Sequence, residues 1–323
     1  MNPVPAKFPD FESLRVGLSQ VLGSNGSGAS KLNIQDRKPI VYASTYPSEV
    51  VQCLIGDCEL KFYCKYAAGP LYDSYGHRGG VPYEAEVYRL VLRNSGFSLP
   101  QFYGAYKDSA TGDSWLILEY LEDTMRLTKG PQPESMLRAA QWIGRFHAAN
   151  ESRAVSPRLS FLKRYDIAYF GGWVQRTSLF ADSLHAELPW LQTVCEHSED
   201  LATLLLANCT TIIHGEFYPH NVLLKSRVIY PVDWESAAIA ASEIDLVTLT
   251  EAWSPEITER CEIEYQRARW PGGAPQEFHR RLAAARLYLS FRWLGEQREW
   301  TIGGNNRFYF EQMHSAAEEL GFI

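Results

Sequence analysis

Residues Thr211–Glu235 read TIIHGEFYPHNVLLKSRVIYPVDWE. Glu216 follows His214 by two positions, Asn221 comes five later, and Asp233 twelve further, after the strand-like run VIYPV. With 8 His and 38 acidic residues among 323, a His-x-acid-x4-Asn pattern is expected by chance only about 0.03 times. An acid at the end of the next apolar strand makes the combination rarer still. Such a set suits phosphoryl transfer. One carboxylate can orient an acceptor hydroxyl and take its proton, while an amide oxygen and a second carboxylate, joined by a hairpin, hold Mg2+ on a triphosphate. The plain alternative is a loop and hairpin with surface acids. A metal-dependent hydrolase built on His214, Glu216 and His220 fits poorly, because Pro219 breaks the segment and the spacing is not that of an H-E-x-x-H helix.

Upstream of this island the pattern is strand-like. An amphipathic helix is expected over Phe11–Leu22, then a flexible Gly/Ser connector over Gly23–Ser30. Strands are predicted at Pro39–Ala43, Glu49–Ile55 and Glu59–Lys65, with turn chemistry at Gly56-Asp57. Val81–Leu92 reads as a helix with Glu84, Val87, Tyr88 and Val91 on one face, and two more strands are expected at Phe102–Tyr106 and Ser114–Tyr120. Beyond Leu121 helices dominate: Met136–Ala149, Glu187–Ala207, Leu246–Trp253 and Gln276–Glu296. Strands first and helices later predict an α+β chain in two lobes, with the boundary near Glu119–Asp123.

Composition narrows the classes. Apolar residues make up 46% and charged residues 21%, so the chain is globular rather than disordered or collagen-like. A net charge of −7 leaves no basic excess for nucleic acid. No 18-residue apolar stretch and no signal-peptide core are present, so no membrane partner is expected and the cytoplasm is the default. The six cysteines form no C-x2-C pair, and Cys53, Cys58 and Cys64 are expected as small buried hydrophobes in strands. Oligomeric state is not legible.

At the Thr211–Glu235 residues the chain resembles the aminoglycoside phosphotransferase and choline kinase-like family, small-molecule relatives of protein kinases. The resemblance runs over roughly Lys38 to Leu249. It implies a two-lobed kinase-like fold: a β-rich nucleotide-binding lobe over 1–121, headed by a helix and linker over 1–37, and a larger helical lobe over 122–323 with the catalytic loop and acceptor site. Glu216 falls where the family places its catalytic Asp, Asn221 and Asp233 on its metal ligands, and His214 on a histidine supporting the loop. Asp245 matches an acid that braces that loop, a role compatible with a helix N-cap.

The same resemblance asks for a strand lysine and a helix glutamate on the phosphate side. Lys65 and Glu84, 19 residues apart, are the candidates, with Lys61 competing for the lysine role from the same strand face. The phosphate-covering loop is expected at Ala43–Ser48, where Ser44, Thr45 and Ser48 offer hydroxyls in place of a glycine motif. Backbone near Glu119–Leu121 is expected to meet the adenine edge. The implied cofactors are ATP, with GTP open, and Mg2+. The implied acceptor is a small-molecule hydroxyl: an amino-sugar, an aminoglycoside or a choline-like alcohol. Acids and aromatics of the C-terminal helices (Glu251, Trp253, Glu256, Glu259, Glu262, Glu264, Tyr288, Trp293 and Trp300) could hold a cationic acceptor or form a solvated face over core rings.

One departure stands out. Glu216 occupies a position that is usually Asp, and its extra methylene moves the carboxylate by about 1–1.5 Å. A misplacement of that size can cost ~10²-fold in rate. Two readings follow: an active kinase whose loop restores the geometry, or a catalytically weak, pseudokinase-like nucleotide-binding protein.

Overall fold

The computed structural model describes residues 8–24, 32–40, 46–67, 74–129, 133–207, 210–303 and 306–323. The chain forms two compact units, Met1–Thr124 with Tyr230–Ser236, and Met125–Ile229 with Ala237–Ile323. The stretch carrying Asp233 therefore belongs to the first unit, although its neighbours in sequence belong to the second.

The first unit is an antiparallel five-stranded sheet with a helix on one face. The strands are β1 (Leu32–Pro39), β2 (Ser48–Ile55), β3 (Cys58–Tyr66), β4 (Phe102–Lys107) and β5 (Ser114–Glu119), in the order β1-β2-β3-β5-β4. The first described strand runs Leu32–Pro39, and of the strand expected at Pro39–Ala43 the residues 41–43 lie outside the described residues. Polar residues dominate it, and only Ile34 is buried, because an edge strand with a bulge between Ile34 and Asp36 needs few apolar side chains. Helix α1 (Phe11–Ser24) lays Leu14, Leu18, Val21 and Leu22 against Val51, Phe62, Cys64 and Trp115. Gly17 permits this approach, since a Cβ there would stand 2.5 Å from the Trp115 ring. Alternation along β3 then sends Phe62, Cys64 and Tyr66 into this core and turns Lys61, Tyr63 and Lys65 to the other face. Helix α2 (Gly80–Val87), prolonged by a π-helical turn over Tyr88–Leu92, buries Glu84, Val87, Tyr88 and Val91. Cys53 and Cys64 are buried as expected, but Cys58, beside the β2–β3 turn, is exposed.

The second unit is mainly helical: α3 (Glu134–Asn150), α4 (Ile167–Phe180), α5 (Leu191–Glu196), α6 (Ser198–Leu206), α7 (Glu243–Thr250), α8 (Pro255–Arg269), α9 (Phe278–Leu294), α10 (Arg298–Ile302) and α11 (Arg307–Leu320). The single helix expected over Glu187–Ala207 is two, broken at His197. Two-residue strands β6 (Met125–Arg126) and β7 (Lys163–Arg164) come first; between α6 and α7 run β8 (Thr210–Ile213), β9 (Val222–Lys225), β10 (Val228–Pro231) and β11 (Ala238–Ala241), with β8 antiparallel to β11. Every residue of α7 is buried, so its acids need internal partners. Among the described residues no helix is long and apolar enough to cross a membrane.

Candidate functional site

In the first unit, one lysine meets three carboxylates. Lys65, on β3, donates to Glu84 of α2 at 2.8 Å and to Asp233 at 2.6 Å, with Glu235 at 3.4 Å. The lysine is only 2% exposed. Desolvation opposes its charge, yet Asp233, Glu84 and Glu235 outweigh that cost and hold its pKa well above the usual lysine value. Burial pushes the Glu235 carboxyl up to about 7 against the pull of Lys65, and it raises Glu84 as well. Lys61, the competing lysine, turns instead to Glu122.

The Asp233–Glu235 turn is tied to α2 by backbone. Trp234 N–H donates to Glu84 Oε1 at 3.0 Å, and Gly79 N–H to the Glu235 carbonyl at 2.7 Å. Asp233 itself has φ +68°, a left-handed conformation uncommon for a non-glycine residue. Such strain persists where surrounding contacts impose it, and functional sites are where it gathers. Oxygens of Glu84, Asp233 and Glu235 lie within 4.8 Å of one another, an oxygen-only donor set suited to a hard divalent cation. Glu235 was not among the residues singled out from sequence, although two-residue alternation from Asp233 marks it.

In the second unit, the loop after β8 is organised by one buried aspartate. Asp245, on α7, accepts from the His214 N–H at 2.7 Å, the Gly215 N–H at 2.9 Å and His147 Nε2 at 3.0 Å. Gly215 has φ +85°, which the turn requires and a side chain would resist. His147 also meets the Tyr265 hydroxyl at 2.9 Å; burial lowers its pKa despite Asp245, so the ring is neutral near pH 7. His214 Nδ1 accepts from the Glu216 N–H at 3.3 Å. Asn221 Nδ2 donates to the Glu216 carbonyl at 3.0 Å, which leaves its amide oxygen as the end able to meet a cation. The Glu216 carboxylate is 4% exposed and lies 3.4 Å from Arg292 of α9, which also donates to the Tyr218 hydroxyl at 3.0 Å. Neither Arg292 nor His147 carries a signal in the sequence, because both sit within ordinary helices.

The remaining expected site residues divide. Ser44 and Thr45 lie outside the described residues; Ser48 is buried at the head of β2, opposite Lys65. Glu119 ends β5 and accepts from the Gln101 N–H at 3.1 Å, and Leu121 is buried. Of the acceptor-side acids, Glu256 and Glu259 are solvated, while Glu262 and Glu264 are spent on Arg286 and Arg267. Glu251 differs: burial raises its pKa to about 7, with Trp293 and Tyr309 beside it. Trp293 stacks on Tyr309 at 5.5 Å and lies 5.9 Å from Tyr218, whereas Tyr288 is a core ring bonded to Tyr169.

Comparison with known proteins identifies the fold and the family. The phosphotransferase enzyme family profile matches residues 74–280. No curated protein matches the chain. Among solved structures, the GDP complex of a mutant aminoglycoside 2'-phosphotransferase-IIIa superposes with TM-score 0.62 at 12% identity, covering 94% of this chain and 98% of that one. A choline kinase from Cryptosporidium parvum Iowa II gives TM-score 0.63 at 14% identity, covering 95% and 97%. An ADP-bound aminoglycoside phosphotransferase gives 0.58 at 14%, covering 95% and 97%. The fold is thus the kinase-like α+β fold, with an antiparallel-sheet N-lobe and a helical C-lobe. With its profile spanning more than half of the residues, the chain belongs to the phosphotransferase enzyme family.

Proposed function

We propose that this protein transfers the γ-phosphate of ATP to a hydroxyl group of a small molecule. The observation that carries the reading is the buried cluster of Lys65, Glu84 and Asp233, an arrangement with no use in a purely structural sheet. Lys65, held by Glu84, meets the phosphates. Asp233 and Asn221 are the oxygen donors assigned to Mg2+, which when bound neutralises charge on the triphosphate. The Ser44–Thr45–Ser48 segment covers the phosphates, and backbone at Glu119 and Leu121 meets the base. Solved relatives carry AMP, ADP or GDP, so ATP and GTP both enter the test.

Glu216 orients the acceptor hydroxyl and accepts its proton, and His214 keeps the loop in shape beneath it. Little covalent work falls to the protein in a loose phosphoryl-transfer transition state, so placement of one carboxylate suffices. The acceptor side offers the Glu251 carboxylate beside Trp293 and Tyr309, a chemistry suited to a cationic alcohol such as an amino-sugar or choline-like compound. Purified protein is incubated with Mg2+ and ATP or GTP and a panel of amino-sugars, aminoglycosides and amino-alcohols. Acceptor-dependent release of ADP or GDP is expected; its absence across the panel, for both triphosphates, refutes the reading. The engagement of Glu216 by Arg292 favours one alternative, a nucleotide-binding regulatory protein, which would bind Mg·ATP tightly, turn nothing over, and gain nothing from Glu216→Asp.

A further inference from the structure

Arg292 stands in an unusual place for a cation. It lies on α9, is 2% exposed, and its Nε finds no acceptor. One nitrogen, Nη2, faces both Tyr218 Oη at 3.0 Å and Glu216 Oε1 at 3.4 Å; Nη1 lies 3.7 Å from Glu296. The guanidinium also sits over the Trp293 ring, 4.8 Å from its centroid. Desolvation works against the charge, but the Tyr218 hydroxyl that accepts from it and the Glu216 and Glu296 carboxylates nearby offset that cost. A core position is not given to an unsatisfied arginine for packing alone, since an apolar residue of similar volume would cost less.

We propose that Arg292 is the positioning residue for Glu216, the clamp that makes a glutamate workable where an aspartate would be too short. This rests on the reading of Glu216 as the carboxylate that orients the acceptor. Glutamate has one more rotatable bond than aspartate, so a free carboxylate would spread over several positions. A planar guanidinium on a rigid helix restricts that spread. Because Glu216 and Tyr218 are two residues apart on one loop and share the same Nη2, the clamp fixes the loop as well as the carboxylate. Retracting the carboxylate by about 1–1.5 Å, as Glu216→Asp does, takes it from 3.4 Å to beyond hydrogen-bond reach of Arg292.

The test is a pair of double-variant cycles on the full chain. In kinetics, Arg292→Met is expected to lower kcat roughly 10–10²-fold while KM for nucleotide stays within about 2-fold, and Arg292→Lys to recover part of the loss. Glu216→Asp is expected to lower kcat in the wild-type chain but to cost little more in the Arg292→Met background. In thermal melting, the losses from Arg292→Met and Glu216→Gln are expected to be smaller together than their sum. Multiplicative kinetic losses, additive melting losses, or a gain of activity from Glu216→Asp in the wild-type chain would each overturn the proposal. Failure of the phosphotransfer reading shows separately, as a wild-type chain that forms neither ADP from ATP nor GDP from GTP. The melting cycle then still supports or overturns the pairing.

Discussion

Replacing Lys65 with methionine removes the only cation within hydrogen-bond reach of Glu84 among the described interactions of that carboxylate. Glu84 keeps the Trp234 N–H on its other oxygen, Glu235 keeps Arg78 at 3.6 Å, and the Asp233 side chain is 24% exposed. Breaking a buried pair by deleting one partner costs about 3–5 kcal/mol. These residual partners place the expected loss near the lower end, about 3 kcal/mol, a fall in Tm of roughly 6–12 °C. The loss should depend on pH. Burial already raises Glu84 and Glu235, the latter to about 7, and removing Lys65 raises both further. A carboxyl whose folded pKa exceeds its unfolded value carries no penalty below the unfolded pKa and a growing penalty as pH climbs towards the folded one. The deficit of Lys65→Met relative to wild type should therefore be small near pH 4.5 and grow as pH rises through about 7 to 8. Urea denaturation followed by tryptophan fluorescence reads it directly, since Trp115 and Trp234 are both buried in this unit. Mg·ATP binding, measured in parallel, should fall at least tenfold. A variant as stable as wild type at pH 8, or a deficit that grows on acidification, would refute the electrostatic account; Lys61→Met, whose partner Glu122 is exposed, serves as the neutral control.

Other outcomes follow from the second unit and from the metal assignment. Asp233→Asn should abolish Mg-dependent nucleotide binding, whereas Glu216→Gln should leave nucleotide affinity nearly intact and lower kcat by ~10²–10⁴-fold; isothermal titration with steady-state kinetics separates the two. Asp245→Asn leaves the His214 and Gly215 N–H groups with a weaker acceptor and should cost about 1.5–3 kcal/mol in denaturant unfolding, with kcat falling as the loop loosens. Burial raises the folded pKa of Glu251 to about 7, so its contribution to wild-type stability should decline as pH rises from about 4.5 to 7; Glu251→Gln should flatten that slope, and an unchanged slope would show that another group titrates.

Much of this was written locally. Period-two alternation in β3 decides that Lys61, Tyr63 and Lys65 share the face opposite Phe62 and Cys64, and helical spacing puts Glu84 on the buried side of α2. The His214–Glu216–Asn221–Asp233 spacing is a chain-local pattern because a strand, a tight loop and a hairpin dictate it together. The α+β order of elements is equally local. What neighbours along the chain do not determine is which charges meet. Lys65 reaches Asp233 across 168 positions, and Arg292 reaches Glu216 across 76. Lys61 and Lys65 are equivalent in the strand pattern; tertiary structure separates them by giving one a buried carboxylate cluster and the other an exposed glutamate. Of the five acids from Glu251 to Glu264, only packing against Trp293 and Tyr309 singles out Glu251. The edge strand β1 and the break at His197 also escaped local reading, since backbone pairing and packing, not side-chain pattern, set them. Backbone preference and hydrophobic period act over a few residues, and sequence carries them openly. Desolvated charge pairing is decided by the whole fold, because a buried ion is tolerated only where distant segments deliver its partner.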